Sequence, residues 1–317
     1  IQFLIREELK KFQSIFRSKG SAAILMNVNN GDIISMVSYP DFDLNKRAKI
    51  DDLNYLNRAT KGVYELGSVF KTFTIAAGLE EEIIETETEF LNLEKKIKCG
   101  KNTIAEYDNK IPSNLTVEQI LIRSGNIGSV RIGQMLEIEK LKLFLEKIGV
   151  LYKMEFDIAE IGEPIPFRWG KCKLATVSFG HGITTTPLQL ARAYAIISNG
   201  GFEIKPTLIK NDLVKNKKNK RIIKENVSKK INLILRKIVT TKEGTAEFAN
   251  IEGYEVGGKT GTAQKTTYGG YSKAKVNTFV AIFPTSKPKY TLVVLLDEPK
   301  TSPDYIYKYR NKKGSYK

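Results

Sequence analysis

Three short groups of residues in this chain carry side chains that could act together in nucleophilic catalysis. In chain order they are Ser68-Val69-Phe70-Lys71, Ser124-Gly125-Asn126 and Lys259-Thr260-Gly261-Thr262. A serine hydroxyl is a poor nucleophile at neutral pH because it must lose its proton as it attacks, and a neutral lysine within reach can accept that proton. Burial, neighbouring cations and the positive end of a helix dipole all favour a neutral lysine. The first group therefore predicts Ser68 as a nucleophile and Lys71 as its general base.

The Ser-x-x-Lys spacing alone is a weak signal, because it also occurs at Ser272 and Ser286 in this lysine-rich chain. Only Ser68 follows a glycine and opens a segment with helical periodicity, so Lys71 is expected one turn later on the same face. The other two are expected in turns between strands. Taken without the other motifs, Ser68 could be an ordinary helix N-cap and Lys71 a solvated lysine.

The second group, Ser124 to Asn126, lies where one predicted helix ends and the next begins. There a hydroxyl could relay a proton, and a carboxamide could hold both Lys71 and a substrate amide. The alternative is an ordinary helix-ending turn, in which Ser, Gly and Asn are all common.

The third group, Lys259 to Thr262, lies on a predicted strand. Glycine weakens a strand unless a ligand or another backbone must come close. An edge strand with a glycine, a hydroxyl and a cation could pair with an extended peptide, bind its carboxylate and direct a backbone N–H at an oxyanion. The alternative is a glycine-softened hairpin.

Hydrophobic periodicity predicts the elements that must position these residues. An amphipathic helix is expected at residues 1–18, followed by a hairpin with strands at 22–28 and 33–39. A mostly helical middle part and a helix near 227–239 come next, and three consecutive strands then follow. The predicted middle helices cover residues 68–79, 116–122, 138–148 and 186–200, and the three strands cover 254–264, 276–283 and 290–296.

This order of elements predicts an α+β fold, an α/β sandwich. An antiparallel five-stranded sheet would be assembled from both chain ends and flanked by helices, with an all-helical subdomain inserted between them. Such a layout places a cleft at the junction of the sheet and the helical block.

Composition excludes several other classes of protein. The chain has 317 residues, of which 41% are hydrophobic, so it can bury the core of one large domain or of two packed subdomains. Its net charge of +16 would fit nucleic acid or an anionic membrane as a partner, but the lysines are scattered and no nucleic-acid-binding module is recognisable. The dense basic run from Tyr305 to Lys317 is interpreted as a solvated, partly disordered tail.

The remaining reactive residues indicate no metal and no cofactor. Cys99 and Cys172 are far apart in sequence and lack CxxC spacing, so neither a zinc site nor a disulfide scaffold is predicted. The single histidine, His181, excludes a cluster of histidine ligands. A Ser-His-Asp mechanism would need His181, but no Gly-x-Ser-x-Gly segment is present, so His181 is interpreted as a loop residue near the cleft and Trp169 as a packing residue.

In their order and positions the three groups resemble the signature of the penicillin-binding protein and serine β-lactamase superfamily. The resemblance covers nearly the whole chain, and it implies a β-lactamase/transpeptidase-like fold. It also includes Asn57-Arg58-Ala59, the hairpin around Gly31, Gly180-His181-Gly182-Ile183 before the Thr186-Pro187 helix, and Gly244-Thr245-Ala246. Segments 64–68, 178–182 and 257–263 are most similar to class B transpeptidases of the septal, division type.

By this resemblance, Ser68 would be acylated by the penultimate D-Ala of a donor stem peptide. Lys71 would be the base, Ser124 the proton relay, and Asn126 would orient the donor amide. One position departs from the pattern, because division-type members more often have Ser or Asp where this chain has Gly125. That difference weakens this element of the signature without removing either functional side chain.

The resemblance also assigns the third group to the substrate. Lys259, counted among the catalytic residues, Thr260 and Thr262 would bind the terminal carboxylate, and Gly261 would belong to the substrate-binding strand. The backbone N–H groups of Ser68 and Thr262 would form the oxyanion hole.

The function implied is a D,D-transpeptidase that cross-links peptidoglycan stem peptides ending in D-Ala-D-Ala, in septal cell-wall synthesis, and that binds penicillin covalently. A β-lactamase or D,D-carboxypeptidase shares the motifs but transfers the acyl group to water. Glu155, Glu160 and Glu163 lie in a suggestive stretch, yet their surroundings do not match a water-activating motif. A non-catalytic β-lactam sensor is a further alternative, against which the intact motifs argue.

The resemblance implies one transpeptidase domain over residues 1–317. The sheet subdomain would comprise residues 1–66 and about 202–300, the helical subdomain about 67–201, and the basic tail 301–317. The reaction takes place on the periplasmic or extracytoplasmic face of the cytoplasmic membrane. Because of this location, an anchor upstream of Ile1 is expected. In the sequence given, no segment has the pattern of a bilayer span or of a signal peptide. Expected partners are a membrane glycan polymerase and division proteins, with β-lactams as inhibitors and no nucleic acid.

Overall fold

The computed structural model describes residues 1–46, 49, 53–100, 102–210, 220–267, 270–303 and 305. Its α-helices are α1 (Gln2–Phe16), α2 (Lys71–Glu80), α3 (Val117–Ile122), α4 (Asn126–Lys147), α5 (Lys171–Val177), α6 (Pro187–Ser198) and α7 (Glu225–Thr240). Its strands are β1 (Gly20–Asn27), β2 (Ile33–Tyr39), β3 (Glu89–Phe90), β4 (Lys96–Cys99), β5 (Asn102–Ala105), β6 (Leu115–Thr116), β7 (Gly257–Thr267), β8 (Gly270–Phe283) and β9 (Tyr290–Asp297). Short 3₁₀ helices cover Leu53–Tyr55, Gly67–Phe70 and Glu247–Ala249.

The central sheet is antiparallel and has the strand order β2-β1-β9-β8-β7. Strands from both ends of the chain meet at β1 and β9, whose register runs from Gly20 opposite Asp297 to Asn27 opposite Tyr290. The predicted five-stranded sheet assembled from both chain ends is therefore confirmed. β7, which carries the third motif, lies at an edge of this sheet.

Helices cover both faces of the sheet. On one face, Leu9 of α1 packs with Ala23 and Val37, as expected for the apolar side of an amphipathic helix. The ring of Tyr305 packs against Phe16 of the same helix, with centroids 5.2 Å apart. Residues 304 and 306–317 of the predicted tail at 301–317 lie outside the described residues. On the other face, α6 and α7 belong to the main core together with α2.

The helical part is organised around α2, in which every residue from Lys71 to Leu79 is buried. Helices α3 and α6 begin as predicted, because Thr116 and Thr186 each form a capping box with the glutamine three residues later. Within the described part of the chain, none of the helices is long and apolar enough to cross a membrane.

The inserted part is not purely helical. Besides its helices it contains two small antiparallel sheets, in which β3 pairs with β6 and β4 pairs with β5. These strands are two to four residues long, too short for a two-residue periodicity to stand out in a sequence. The prediction for Ser272 is wrong, because this residue lies within β8 rather than in a turn, whereas Ser286 lies between β8 and β9.

The two cysteines form one disulfide, which their spacing in the sequence did not indicate. Cys99 at the end of β4 is bonded to Cys172 in the first turn of α5, with their Cα atoms 5.3 Å apart. The pair is separated by 73 residues, and sequence spacing carries no information about a contact over that distance. The bond ties the β4–β5 hairpin to α5.

Replacing both cysteines by serine is expected to lower the free energy of unfolding by about 2–4 kcal/mol, because a long loop is no longer closed in the unfolded chain. Urea unfolding of the oxidised wild type and of the Cys99→Ser/Cys172→Ser variant measures the difference. A reductant should destabilise the wild type and leave the double variant unchanged. Equal sensitivity of the two proteins to the reductant would contradict this expectation.

Candidate active site

The three motifs meet where α2, the α3–α4 junction and the edge strand β7 come together. Ser68 belongs to the 3₁₀ helix Gly67–Phe70, which leads directly into α2. The backbone N–H of Lys71 donates to the carbonyl of Ser68, so the two residues are stacked one turn apart, as predicted. Ser68 is half-buried, whereas Val69 and Phe70 beside it are fully buried. The hydrophobic neighbours thus fix the turn and leave the hydroxyl residue facing outward.

Glycines allow three backbone segments to touch around this turn. A Cβ atom on Gly67 would lie 2.4 Å from the carbonyl oxygen of Thr262, and one on Gly261 would lie 2.2 Å from that of Leu66. A Cβ on Gly180 would lie 1.9 Å from the carbonyl oxygen of Gly67. Gly67 and Gly180 also have φ values of +64° and +86°, which glycine adopts without strain. The segments that carry the backbone N–H groups of Ser68 and Thr262 are therefore in direct contact.

The second motif connects two helices, as predicted. Ser124 follows α3 in the left-handed conformation, with φ +58°, and the backbone N–H of Gly125 donates to the carbonyl of Ile120 at 2.9 Å. That conformation costs a non-glycine residue about 1–2 kcal/mol. It places both the carbonyl and the hydroxyl of Ser124 beside Lys71. Asn126 is the first residue of α4.

A buried array of hydrogen bonds links the three motifs. Nζ of Lys71 donates to the carbonyl of Ser124 at 2.5 Å, to Oδ1 of Asn126 at 2.7 Å and to Oγ of Ser124 at 3.2 Å. Lys259 Nζ donates to Oγ of Ser124 at 2.8 Å and to the carbonyl of Thr260 at 3.0 Å. The hydroxyl of Ser124 therefore lies between two lysine nitrogens.

Burial favours neutral amines at this place. Both lysine side chains are completely buried. Burial lowers the pKa of Lys71 to about 7, against the opposing effect of the Glu106 carboxylate. Burial also holds the pKa of Lys259 well below its usual value, and the neighbouring charge of Lys71 lowers it further. Lys71 can therefore accept a proton near neutral pH, and Ser124 can pass a proton between the two nitrogens.

The rest of the third motif lies along β7. Thr262 is exposed and Thr260 is half-buried. The Thr260 hydroxyl donates to Oγ1 of Thr245 at 2.8 Å. Sequence reasoning noted Thr245 as part of the resemblance but gave it no role, because nothing in the spacing shows that it lies beside β7.

Glu106 is a second residue that sequence reasoning missed. Its carboxylate accepts hydrogen bonds from the backbone N–H groups of Asn126 at 2.7 Å and Ile127 at 2.9 Å. No motif marks it, since a carboxylate 20 residues before a helix has no characteristic spacing to that helix. A Cβ on Gly125 would lie 3.6 Å from Oε1 of Glu106, an ordinary contact. A larger residue would therefore fit at Gly125, in the middle of the second motif.

His181 lies in a loop beside the buried carboxylate of Glu65, with 3.7 Å between Nδ1 and Oε2. Its ring stacks on that of Tyr271, with centroids 4.3 Å apart. Glu65 accepts hydrogen bonds from the Gly182 N–H at 3.0 Å and from the Tyr271 hydroxyl at 3.1 Å. Burial lowers the pKa of His181. The stacking of His181 on Tyr271 and the hydrogen bonds to Glu65 hold the loop against β8.

Three other residues considered from the sequence make packing, ion-pair or hydrogen-bond contacts. The ring of Trp169 packs against Phe167 at 5.0 Å, in agreement with its predicted packing role. Glu155 pairs with Lys205 at the surface, and Glu160 accepts a hydrogen bond from the backbone N–H of Asn57.

Comparison with known proteins agrees with this geometry. The family model described as the penicillin binding protein transpeptidase domain matches residues 21–314, and the chain belongs to this family. The class that the motifs predicted, a class B penicillin-binding transpeptidase domain, is confirmed.

Individual relatives and structures show how far the similarity extends. The chain is 33% identical over 315 residues to the probable peptidoglycan D,D-transpeptidase FtsI of Caulobacter vibrioides, a match that covers 95% of this chain and 52% of the relative. It is 32% identical over 305 residues to the probable peptidoglycan D,D-transpeptidase PenA of Neisseria flavescens, covering 94% and 74%. The chain thus spans about half the length of the FtsI relative.

Among solved structures, the apo TP domain of Burkholderia pseudomallei penicillin-binding protein 3 matches with a TM-score of 0.84 and 26% identity. That match covers 94% of this chain and 86% of the other. The predicted transpeptidase-like fold is therefore confirmed.

Proposed function

We propose that this chain is a D,D-transpeptidase domain that cross-links peptidoglycan stem peptides through an acyl-enzyme on Ser68. The observation that carries the proposal is the buried array in which Lys71, Ser124 and Lys259 share one hydroxyl beside the turn that bears Ser68. Two desolvated amines joined by a hydroxyl form a site for moving protons. The names of the FtsI and PenA relatives support the same reaction.

In the proposed acylation, Oγ of Ser68 attacks the carbonyl carbon of the penultimate D-Ala while neutral Lys71 takes the hydroxyl proton. The backbone N–H groups of Ser68 and Thr262 stabilise the negative oxygen of the tetrahedral intermediate. When the C–N bond breaks, the departing D-Ala amine receives that proton from Lys71 through the hydroxyl of Ser124. Asn126 orients the donor amide.

The terminal carboxylate of the donor is proposed to bind along β7. Within the described residues β7 is the last strand of the sheet, so no further strand pairs with its outer edge, the arrangement to which an extended peptide can add. Lys259, Thr260 and Thr262 supply the amine and hydroxyls, and Gly261 keeps the strand close to the Ser68 turn. The acyl group then passes to an acceptor amine, which loses a proton through the same array.

Transfer to water is the competing outcome. A β-lactamase needs a group that activates a water molecule. Glu160 is engaged with the backbone of Asn57, and Glu155 pairs with Lys205 at the surface. These contacts favour a transpeptidase over a hydrolase.

The biological setting follows from this reaction. We place the domain, which we take to be one unit from residue 1 to 317, on the extracytoplasmic face of the cytoplasmic membrane, with a membrane glycan polymerase and division proteins as partners. The Cys99–Cys172 disulfide supports this location, because disulfides persist in oxidising compartments. The FtsI name of one relative favours septal use.

Mass spectrometry of the protein after treatment with penicillin tests the proposed function. A covalent adduct is expected on the tryptic peptide that contains Ser68, and it should decay slowly when no amine is present. Addition of an acceptor amine to an acyl-enzyme made from a D-Ala-D-Ala peptide should give the cross-linked product. An adduct on another peptide, or none, would refute the assignment of Ser68. Rapid turnover of the penicillin would show a hydrolase instead.

A further inference from the structure

The N-terminus of α4 is capped by a residue from another element. Gly125 occupies the N-cap position and has no side chain with which to bond the first free N–H groups. The carboxylate of Glu106, just after β5, performs this function, since its two oxygens accept from the N–H groups of Asn126 and Ile127 at 2.7 and 2.9 Å. A negative charge at this end of a helix also interacts favourably with the helix dipole.

The residue before Glu106 fixes the side chain of Asn126. Nδ2 of Asn126 donates to the carbonyl of Ala105 at 2.8 Å, while its Oδ1 accepts from Lys71 at 2.7 Å. The orientation of the carboxamide is therefore set from two sides. Residues 105 and 106 hold both the main chain and the side chain of Asn126.

Glu106 also faces the buried Lys71 with an opposite charge. The charge of Glu106, at the end of the β4–β5 hairpin, acts on Lys71, and the charge of Lys71 in turn acts on Lys259, on β7. The carboxylate raises the pKa of Lys71 and so opposes the effect of burial. The Cys99–Cys172 bond anchors the hairpin from which Glu106 extends.

We propose that Glu106 is a positioning residue of the acyl-transfer site: it holds Asn126 in place by capping α4, and its negative charge faces the buried amine of Lys71. This inference rests on the proposed function of Ser68 and Lys71. Glu106 acts through these residues and does not touch the substrate.

Two substitutions separate the two roles. Glu106→Gln removes the charge and keeps an oxygen that can accept from the helix N-terminus, whereas Glu106→Ala removes both. Without the negative charge Lys71 loses its proton at lower pH. The acidic limb of the acylation rate against pH is therefore expected to move to lower pH in both variants. The plateau rate should fall about 10-fold or less in Glu106→Gln and about 100-fold in Glu106→Ala, because Asn126 is no longer held in the second.

The experiment measures the second-order rate constant for acylation by a fluorescent penicillin across neutral pH. Glu94→Gln is the matched control. Glu94 is an exposed carboxylate that pairs with Arg131, a residue of α4 beyond the N-terminal residues that Glu106 caps. This control should keep the wild-type rate and pH profile. Thermal unfolding of each variant identifies any loss of folded protein. If the alanine variant does not fold, the position of the acidic limb of the acylation rate in Glu106→Gln tests the proposal.

Titration of Lys71 by NMR of ¹³C-labelled lysine gives a second readout that needs no catalysis, with Lys71→Met to assign the signal. A lower midpoint in Glu106→Gln supports the proposal. An unchanged midpoint and unchanged acylation by both variants would overturn it. Failure of the wild type to be acylated would instead refute the proposed function, and the NMR midpoint would still test whether Glu106 acts on Lys71.

Discussion

The Ser68→Ala variant is expected to lose covalent labelling by fluorescent penicillin completely, while keeping the unfolding temperature of the wild type within a few degrees. The side chain is half-buried and projects from a turn that is fixed by its neighbours Val69 and Phe70. Removing one oxygen therefore takes away the nucleophile and leaves the packing intact. Gel fluorescence after incubation with the labelled penicillin measures the loss.

Ser286→Ala is the matched control for this experiment. Ser286 also begins a Ser-x-x-Lys sequence, but it lies in the turn between β8 and β9, where its hydroxyl bonds to Glu255. Its variant should label like the wild type. Labelling that persists in Ser68→Ala would show that another residue forms the adduct, and loss of labelling in both variants would point to a general structural effect.

Replacing Lys71 by Met is expected to lower the acylation rate constant about 10³-fold, the size typical for loss of a positioned general base. Methionine fills much of the same buried space without a charge. In the proposed mechanism the neutral amine of the wild type is the active form, and burial lowers its pKa to about 7. The wild-type rate should therefore fall as the pH drops below about 7, and this dependence should be absent in Lys71→Met.

Stopped-flow acylation over a pH series measures both the rate and its pH profile. Lys265→Met serves as the control, because Lys265 lies on β7 outside the three motifs and pairs with Asp297. It should retain the wild-type rate and midpoint. A Lys71→Met variant that keeps the acidic limb would show that another group, such as Lys259, is the base.

The sequence was sufficient for features that depend on local chemistry. The capping boxes at Thr116 and Thr186 are readable because an N-cap hydroxyl and its glutamine partner lie three residues apart. The order of the three motifs on a helix start, a helix junction and a strand predicted which residues would be brought together. The array around Ser124 shows that they do meet.

Contacts between distant segments could not be predicted from the sequence. Three contacts join residues that only the tertiary fold brings close together. They are the Cys99–Cys172 disulfide, the capping of α4 by Glu106 and the hydrogen bond from Thr260 to Thr245. The short β4–β5 hairpin explains two of these cases. Its strands are too brief to predict, and yet it places both Cys99 and Glu106.

The glycines around Ser68 also determine where this site can change under selection by an inhibitor. One added carbon at Gly67, Gly180 or Gly261 would collide with main-chain oxygens. Variation at these positions would deform the site for the natural peptide and the drug alike. Thr262, by contrast, is exposed. Under the proposed function, variants that distinguish drug from peptide are therefore to be sought among the side chains of β7 rather than in the main chain around Ser68.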